Sequence, residues 1–337
     1  MKCCANCFDD RGLRKVILFR SSEKGECQYC GSSYVDLIEP RELADVFGLL
    51  MNVYEIDDSG KPLVQWLKED WALFTHSQMD DANANALLGD ILDDGQLVRQ
   101  NFIPSRRYES DRLGSWKELR IELMHENRFF PKAQIDFERL KQLLERLMLD
   151  EDEIPNIWYR ARIQLGDIAF GTDDMKAPPE KIASHGRANP AGIPYLYLGS
   201  TAETAISEIR PHTGERVSVA DFTTTNDLKL IDLRNPRKTV SPFLLEDENA
   251  VGQLRSDITF LERLGEELTR PVLPHAAAID YIPSQYLCEF IKKCGYDGVI
   301  YKSSVSSGMN LALFKTDKAT IGAIKQRLVT RVSVDIE

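Results

Sequence analysis

Two groups of residues in this sequence have the types and spacing to do chemistry. Cys4 and Cys7, then Cys27 and Cys30, make two Cys-x2-Cys pairs separated by 19 residues. Each pair can form a tight knuckle aiming two thiolates at one point, and two knuckles complete the tetrahedral sulfur set that Zn2+ prefers. Four sulfur ligands leave no position for water, so a zinc held here is structural rather than catalytic. Cys3 is a spare thiol with no assigned role. The second group is spread through the later half. Arg160 sits in Ile157-Trp158-Tyr159-Arg160-Ala161-Arg162, and Arg187, Asn189 and Gly192 lie in a loop that runs straight into Tyr195 and Tyr197. Glu208 precedes Ile209-Arg210, and Ser303-Ser304 follow a β-rich run. Taken singly, each has an ordinary reading. An arginine beside aromatics stacks on the surface, a helical glutamate is solvated, and a Ser-Ser pair after a strand is a turn.

The elements that must position these residues change character along the chain. With 337 residues, 43% apolar and 28% charged, the chain is long enough for two globular domains. It lacks a run of about 18 apolar residues. Its start, MKCCANCFDD, lacks the apolar core of a secretory signal, so a cytoplasmic location with no membrane partner is expected. In a reducing compartment, thiols clustered this way argue for metal over disulfides. The net charge of -11, with no Lys/Arg block, disfavours nucleic acid as a partner. Residues 1–38 read as the Cys4 zinc knuckle, with Lys15-Val16-Ile17-Leu18-Phe19-Arg20 as a short strand between the pairs. Residues 39–150 read as mostly helical: positions 43, 46, 47, 50 and 51 share a face, as do Phe137, Leu140, Leu144 and Leu147. The acidic run Asp150 to Glu153, followed by Pro155, reads as a linker. From 151 to 337, short β-rich runs (195–198, 216–219, 228–233, 298–301) mix with helical stretches (201–209, 257–268, 284–294) in no regular alternation. The fold class is α+β.

The common nucleotide-loop, metalloprotease and serine-hydrolase motifs are all missing from the sequence. The second polar group nevertheless resembles a known family, the RES domain, named for its Arg, Glu and Ser. The blocks that carry the likeness are Trp158-Tyr159-Arg160, Arg187 to Tyr197, Glu208-Ile209-Arg210-Pro211-His212, Tyr301-Lys302-Ser303-Ser304 and Asn310-Leu311-Ala312-Leu313-Phe314, in the family's order over roughly half the chain. The N-terminal half, with its cysteine pairs and His125-Glu126-Asn127-Arg128-Phe129-Phe130, resembles the helical HEPN/RES N-terminal domain. The RES resemblance implies an ADP-ribosyltransferase-like fold and NAD as the substrate, consumed by a bacterial toxin that is often paired with an antitoxin. It implies Arg160, Tyr197, Glu208 and Ser303 as catalytic; beside them, Arg187, Asn189, Gly192 and Tyr195, in and after a Gly/Pro-shaped loop whose backbone can approach a ligand closely, are the candidate substrate-binding residues. Lys302 stands where many relatives carry Pro, which leaves Ser304 as the alternative to Ser303. The chain is also much longer than stand-alone toxins of this kind.

The expected activity is therefore NAD phosphorylase or NAD glycohydrolase, needing no catalytic metal and carrying zinc only at Cys4, Cys7, Cys27 and Cys30. The expected partners are NAD and an antitoxin or regulatory protein, and a homo-oligomer is compatible with the sequence. Three other readings stand beside it. The acceptor of the ADP-ribosyl group could be a protein or nucleic acid. Arg120 and His125 have the Arg-x4-His spacing of HEPN ribonucleases. The chain could also be a binding module with a decayed enzyme half, against which the intact Arg160, Tyr197, Glu208 and Ser303 speak.

Overall fold

The computed structural model describes residues 1–108, 113, 115–133, 135–273 and 275–333. Contacts divide the chain into two compact units, neither of them one continuous segment: Met1–Asp111 with Arg237–Leu261, and Arg112–Pro236 with Glu262–Glu337.

In the first unit the two cysteine pairs flank α1 (Arg11–Arg20) and a small antiparallel pair, β1 (Glu23–Gly25) with β2 (Val35–Leu37). The stretch Lys15–Arg20, expected as a strand, is the second half of α1. The Asp10 side chain caps the helix by accepting the Leu13 N–H at 2.8 Å, and Leu13 and Ile17, four apart, form its buried stripe. That stripe and cap outweigh the β preference of Val16-Ile17. Three more helices follow, α2 (Ala44–Met51), α3 (Leu63–Trp71) and α4 (Asp81–Leu92). Phe47 and Leu50 of α2 are buried, as its apolar spacing requires, and Phe47 lies 5.8 Å from Phe8 and 4.9 Å from Phe243 between ring centroids. The segment expected to be mostly helical also contains a second antiparallel pair, β3 (Tyr54–Pro62) with β4 (Asn101–Pro104). The returning stretch adds the single turn α9 (Pro236–Thr239) and α10 (Glu248–Ser256), whose Arg255 is ion-paired with Asp70 at 2.6 Å.

The second unit is built on a seven-stranded sheet in the order β11-β7-β5-β6-β10-β9-β8. Its strands are β5 (Ile157–Ile163), β6 (Leu196–Gly199), β7 (Arg216–Thr224), β8 (Leu230–Asp232), β9 (Gly298–Lys302), β10 (Met309–Leu313) and β11 (Ala319–Leu328). Neighbours are antiparallel except β8 with β9. Trp158, fully buried, packs with Leu196, Leu198, Phe222, Ile300, Leu311 and Leu313. Each such side chain contributes roughly 1.5–3 kcal/mol on burial. A smaller cluster, Ala161, Ala205, Val217 and Val219, involves α8 (Ala202–Glu208). The same unit holds α5 (Trp116–His125), α6 (Phe137–Arg146), the short α7 (Thr172–Met175) and α12 (Ala277–Asp280), α13 (Ile282–Lys293) and most of α11 (Ile258–Thr269). The acidic stretch expected as a linker is a 3-10 turn, Glu151–Glu153, closed by a capping box from Asp150. Just ahead of it, residues 147–149 hydrogen-bond along β8, with Leu149 N–H donating to Leu230 at 3.0 Å, so α6 enters the sheet without a break.

One irregularity positions the site. β5 and β6 are neighbours in the sheet, yet they pair at a single register point, Tyr159 with Gly199. The sheet opens there. Among the described residues, no helix is long and apolar enough to cross a membrane.

Candidate active site and metal centre

The opening between β5 and β6 is the floor of a cleft of about 450 Å3. Arg160 and Tyr159 reach it from β5, Tyr197 from β6, Glu208 from the end of α8, Asn310 from β10, and Arg187 from the preceding loop. Four of the eight residues expected at a site therefore line one cavity.

Arg160 brings an unmet charge. Its Nη1 is buried and has no hydrogen-bond partner among the described residues. Burial, helped by the nearby Arg162 charge, pushes its pKa down to about 10. A buried guanidinium without an acceptor is costly, and an anion entering the cleft would satisfy it. Glu208 is held differently. Its Oε1 accepts two hydrogen bonds, from the Ser303 hydroxyl at 2.7 Å and from Asn310 Nδ2 at 2.6 Å. No hydrogen bond to Oε2 occurs among the described residues. One oxygen is thus anchored and the other remains for a ligand.

Tyr197 closes a small network. Its hydroxyl donates to Asn189 Oδ1 at 2.7 Å and accepts the Ala188 N–H at 2.9 Å. Burial raises its pKa, so it stays a neutral phenol. Gly186, beside it, has no room for a side chain: a Cβ would stand 2.6 Å from the Tyr197 oxygen and 2.5 Å from Asn189 Oδ1. Arg187 donates through Nη1 to the Arg270 carbonyl at 2.8 Å, and its guanidinium lies 5.2 Å from the Tyr281 ring centroid.

The other expected residues sit elsewhere. Asn189 is buried, and its amide reaches the carbonyls of Ser184 and Ile193, so it shapes the loop and does not line the cleft. Gly192 is exposed at φ +85, where it turns the chain and donates to the Ala183 carbonyl. Tyr195 points into the core, its ring tilted against Phe314 at 4.6 Å and its hydroxyl donating to Glu289. The Ser303 hydroxyl also accepts the N–H groups of Val305 and Ser306, which fixes the turn, while Ser304 is the serine that lines the cleft. Composition and spacing did not single out Asn310, Tyr281 or Arg210. A signal for Asn310 was available: an asparagine inside an apolar strand, here 4% exposed, needs a buried partner.

Arg120 and His125 are not brought together within this chain. Five residues apart on α5, they point about 140° from one another. Arg120 is ion-paired to the buried Glu267 at 3.2 Å, and His125 is exposed.

In the first unit Cys4, Cys7, Cys27 and Cys30 converge. Their sulfurs all lie within 4.8 Å of one another, with Cys4 and Cys30 3.6 Å apart and Cys7 and Cys27 3.4 Å apart. A tetrahedron with metal–sulfur bonds of about 2.3 Å has an edge near 3.8 Å, so the four thiols fit a metal ion. All four are buried.

The second unit is a mixed α/β domain whose split sheet brings an anchored carboxylate and an unsatisfied guanidinium into one cleft. The chain belongs to the RES domain family, whose profile matches residues 157–335, more than half of its length. No curated protein matches the sequence. Among solved structures, the chain is similar to one from the crystal structure of the M. tuberculosis MbcT-MbcA toxin-antitoxin complex. The identity is 15% and the TM-score 0.34, over 57% of this chain and 93% of the other.

Proposed function

We propose that the second unit breaks the bond between nicotinamide and ribose in NAD and passes the ADP-ribosyl group to phosphate or water. The observation that carries this reading is one cleft holding both the partnerless Nη1 of Arg160 and the carboxylate of Glu208 anchored on a single oxygen. Glycosidic cleavage of this kind passes through an oxocarbenium-like state, positive at the sugar. A carboxylate beside it stabilises that state more than the bound substrate. Ser303 and Asn310 would hold Glu208 in register, so that its free oxygen meets the ribose. Arg160 would fork onto the diphosphate, replacing the acceptor it lacks. Tyr197, neutral and flat, would border the nicotinamide–ribose end, with Ser304 beside it.

We further infer an ADP-ribosyltransferase-like fold for the second unit, with the four cysteines holding a structural Zn2+ that organises the first. Loss of NAD starves the cell that makes the enzyme, so the protein acts as a toxin in the cytoplasm and needs an inhibitory partner. Purified protein should release nicotinamide from NAD, and mass analysis with and without phosphate identifies the product. A macromolecule carrying ADP-ribose would instead make it a transferase. NAD left intact by the wild type, or consumed equally by Glu208→Ala, would refute the reading.

A further inference from the structure

We infer that Arg187 and Tyr281 form a stacking platform for a purine, the adenine of the half of the dinucleotide that does not react. The inference rests on the NAD reading above and assigns the second end of the same cleft.

Two arginines enter the cleft with opposite circumstances. Arg160 has a buried nitrogen with no partner, which suits a phosphate. Arg187 has already committed one nitrogen of its fork to the Arg270 carbonyl at 2.8 Å. That hydrogen bond fixes the plane of the guanidinium and so presents its face to the cleft. The face is paired with the Tyr281 ring, 5.2 Å away, and both side chains border the cleft. Val272 adds an apolar surface to the lining. A guanidinium on an aromatic ring, next to an aliphatic side chain, is the kind of surface on which nucleobases stack.

The platform is also braced from behind. The Ser284 hydroxyl donates to the Arg187 carbonyl at 2.6 Å, and Gln285 Nε2 donates to the Gly186 carbonyl at 2.8 Å. Both come from the first turn of α13, and Tyr281 stands immediately ahead of that helix. Loop and ring are thus fixed to one element, so little ordering remains to be done when a base arrives. The carboxylate of Glu208 and the unmet charge of Arg160, from α8 and β5, line the same cleft. The reacting sugar is assigned to that pair and the base to the platform.

The test is a calorimetric titration with 5′-AMP, which has the base and one phosphate but no bond to break. Wild type should bind it, Tyr281→Ala should bind roughly 5- to 150-fold more weakly, and Tyr281→Phe should stay near wild type. In turnover, Tyr281→Ala should raise KM for NAD by a similar factor and leave kcat within about threefold. Nicotinamide mononucleotide, which lacks the adenosine half, should be cleaved equally by both proteins. Absence of AMP binding by wild type, undiminished binding by Tyr281→Ala, or parallel loss with the mononucleotide would overturn the platform. Failure of the wild type to cleave NAD would refute the catalytic reading alone, because the AMP titration does not depend on it.

Discussion

The two polar centres of this protein are opposites in how their groups are satisfied. At the cysteine cluster, four buried sulfurs face one another, with Cys30 also donating to the Ser32 hydroxyl at 3.2 Å and Cys27 to the Lys2 carbonyl at 3.9 Å. In the cleft, a buried guanidinium nitrogen has no partner and one carboxylate oxygen is left over. A centre whose valences close on themselves can only hold structure together. A centre with valences left over is waiting for a ligand. The contrast separates a candidate folding device from a candidate reaction site before either is assigned chemistry, and it can be broken from both sides.

The largest effect belongs to the closed centre. Replacing Cys7 by Ser should remove the bound metal and cost the first unit more than about 4 kcal/mol, because metal binding in such clusters is folding free energy. Metal content and thermal unfolding check it, and an unchanged melting temperature would remove the metal from the account. The open centre should respond in the other currency. Glu208→Gln keeps an oxygen for Ser303 and Asn310 but loses the charge, so kcat should fall roughly 10²- to 10⁴-fold with the melting temperature nearly unchanged. Equal turnover by the Gln variant would show that the anchored carboxylate is not the reacting one.

Much of this contrast was legible in the sequence, and the gaps have physical reasons. The cysteine spacing alone marked the closed centre, because ligand geometry is local. The buried stripe of α6 and the apolar runs of β6, β7, β8 and β9 were also visible, since periodicity encodes burial. Lys15–Arg20 misled because the residue that decides its helix, the Asp10 cap, lies outside the run. The pairing of β3 with β4 is long-range and leaves little periodic trace in nine and four residues. The open centre was only partly readable. Asn189 and Tyr195 look like ligand-facing residues in a linear string, yet hydrogen bonds to Ser184, Ile193 and Glu289 commit them to the scaffold. Tyr281 lies 84 residues beyond Tyr197 in the chain and reaches the cleft through the helix that follows it. No spacing rule connects them.

A third test sets a satisfied carboxylate against pH. Asp10 in the first unit is buried, and burial pushes its pKa up to about 6 despite hydrogen bonds from Leu13 N–H and the Ser241 hydroxyl. A folded value above the unfolded one means that the native state holds the proton more tightly between pH 4 and 6. Stability from this group is therefore full below about pH 4 and declines as pH rises through 6. Asp10→Asn keeps a cap acceptor and removes the charge. It should unfold at a higher temperature than wild type at pH 7.5 and lose that advantage at pH 4.5, a swing of about 2 kcal/mol. A pH-independent difference would show that Asp10 is ionised at no cost.

The smallest effect is the one that runs against intuition. Arg160 makes no hydrogen bond through its buried Nη1, and burial beside Arg162 disfavours its charge. A native arginine in that position costs stability when the cleft holds no anion, so replacing it should help the fold. Arg160→Met keeps the length and the apolar stem and removes the charge. Because the rest of the side chain is only partly buried, the gain is limited to about 1 kcal/mol, or ~2–4 °C in melting temperature. The same variant should lose the stabilisation that saturating NAD or ADP-ribose gives the wild type, because the anion it would pair with has no partner left. A melting scan with and without ADP-ribose reads both signs at once. A lower melting temperature for the unliganded variant would mean that Arg160 is already satisfied, and the cleft would then be as closed as the cysteine cluster.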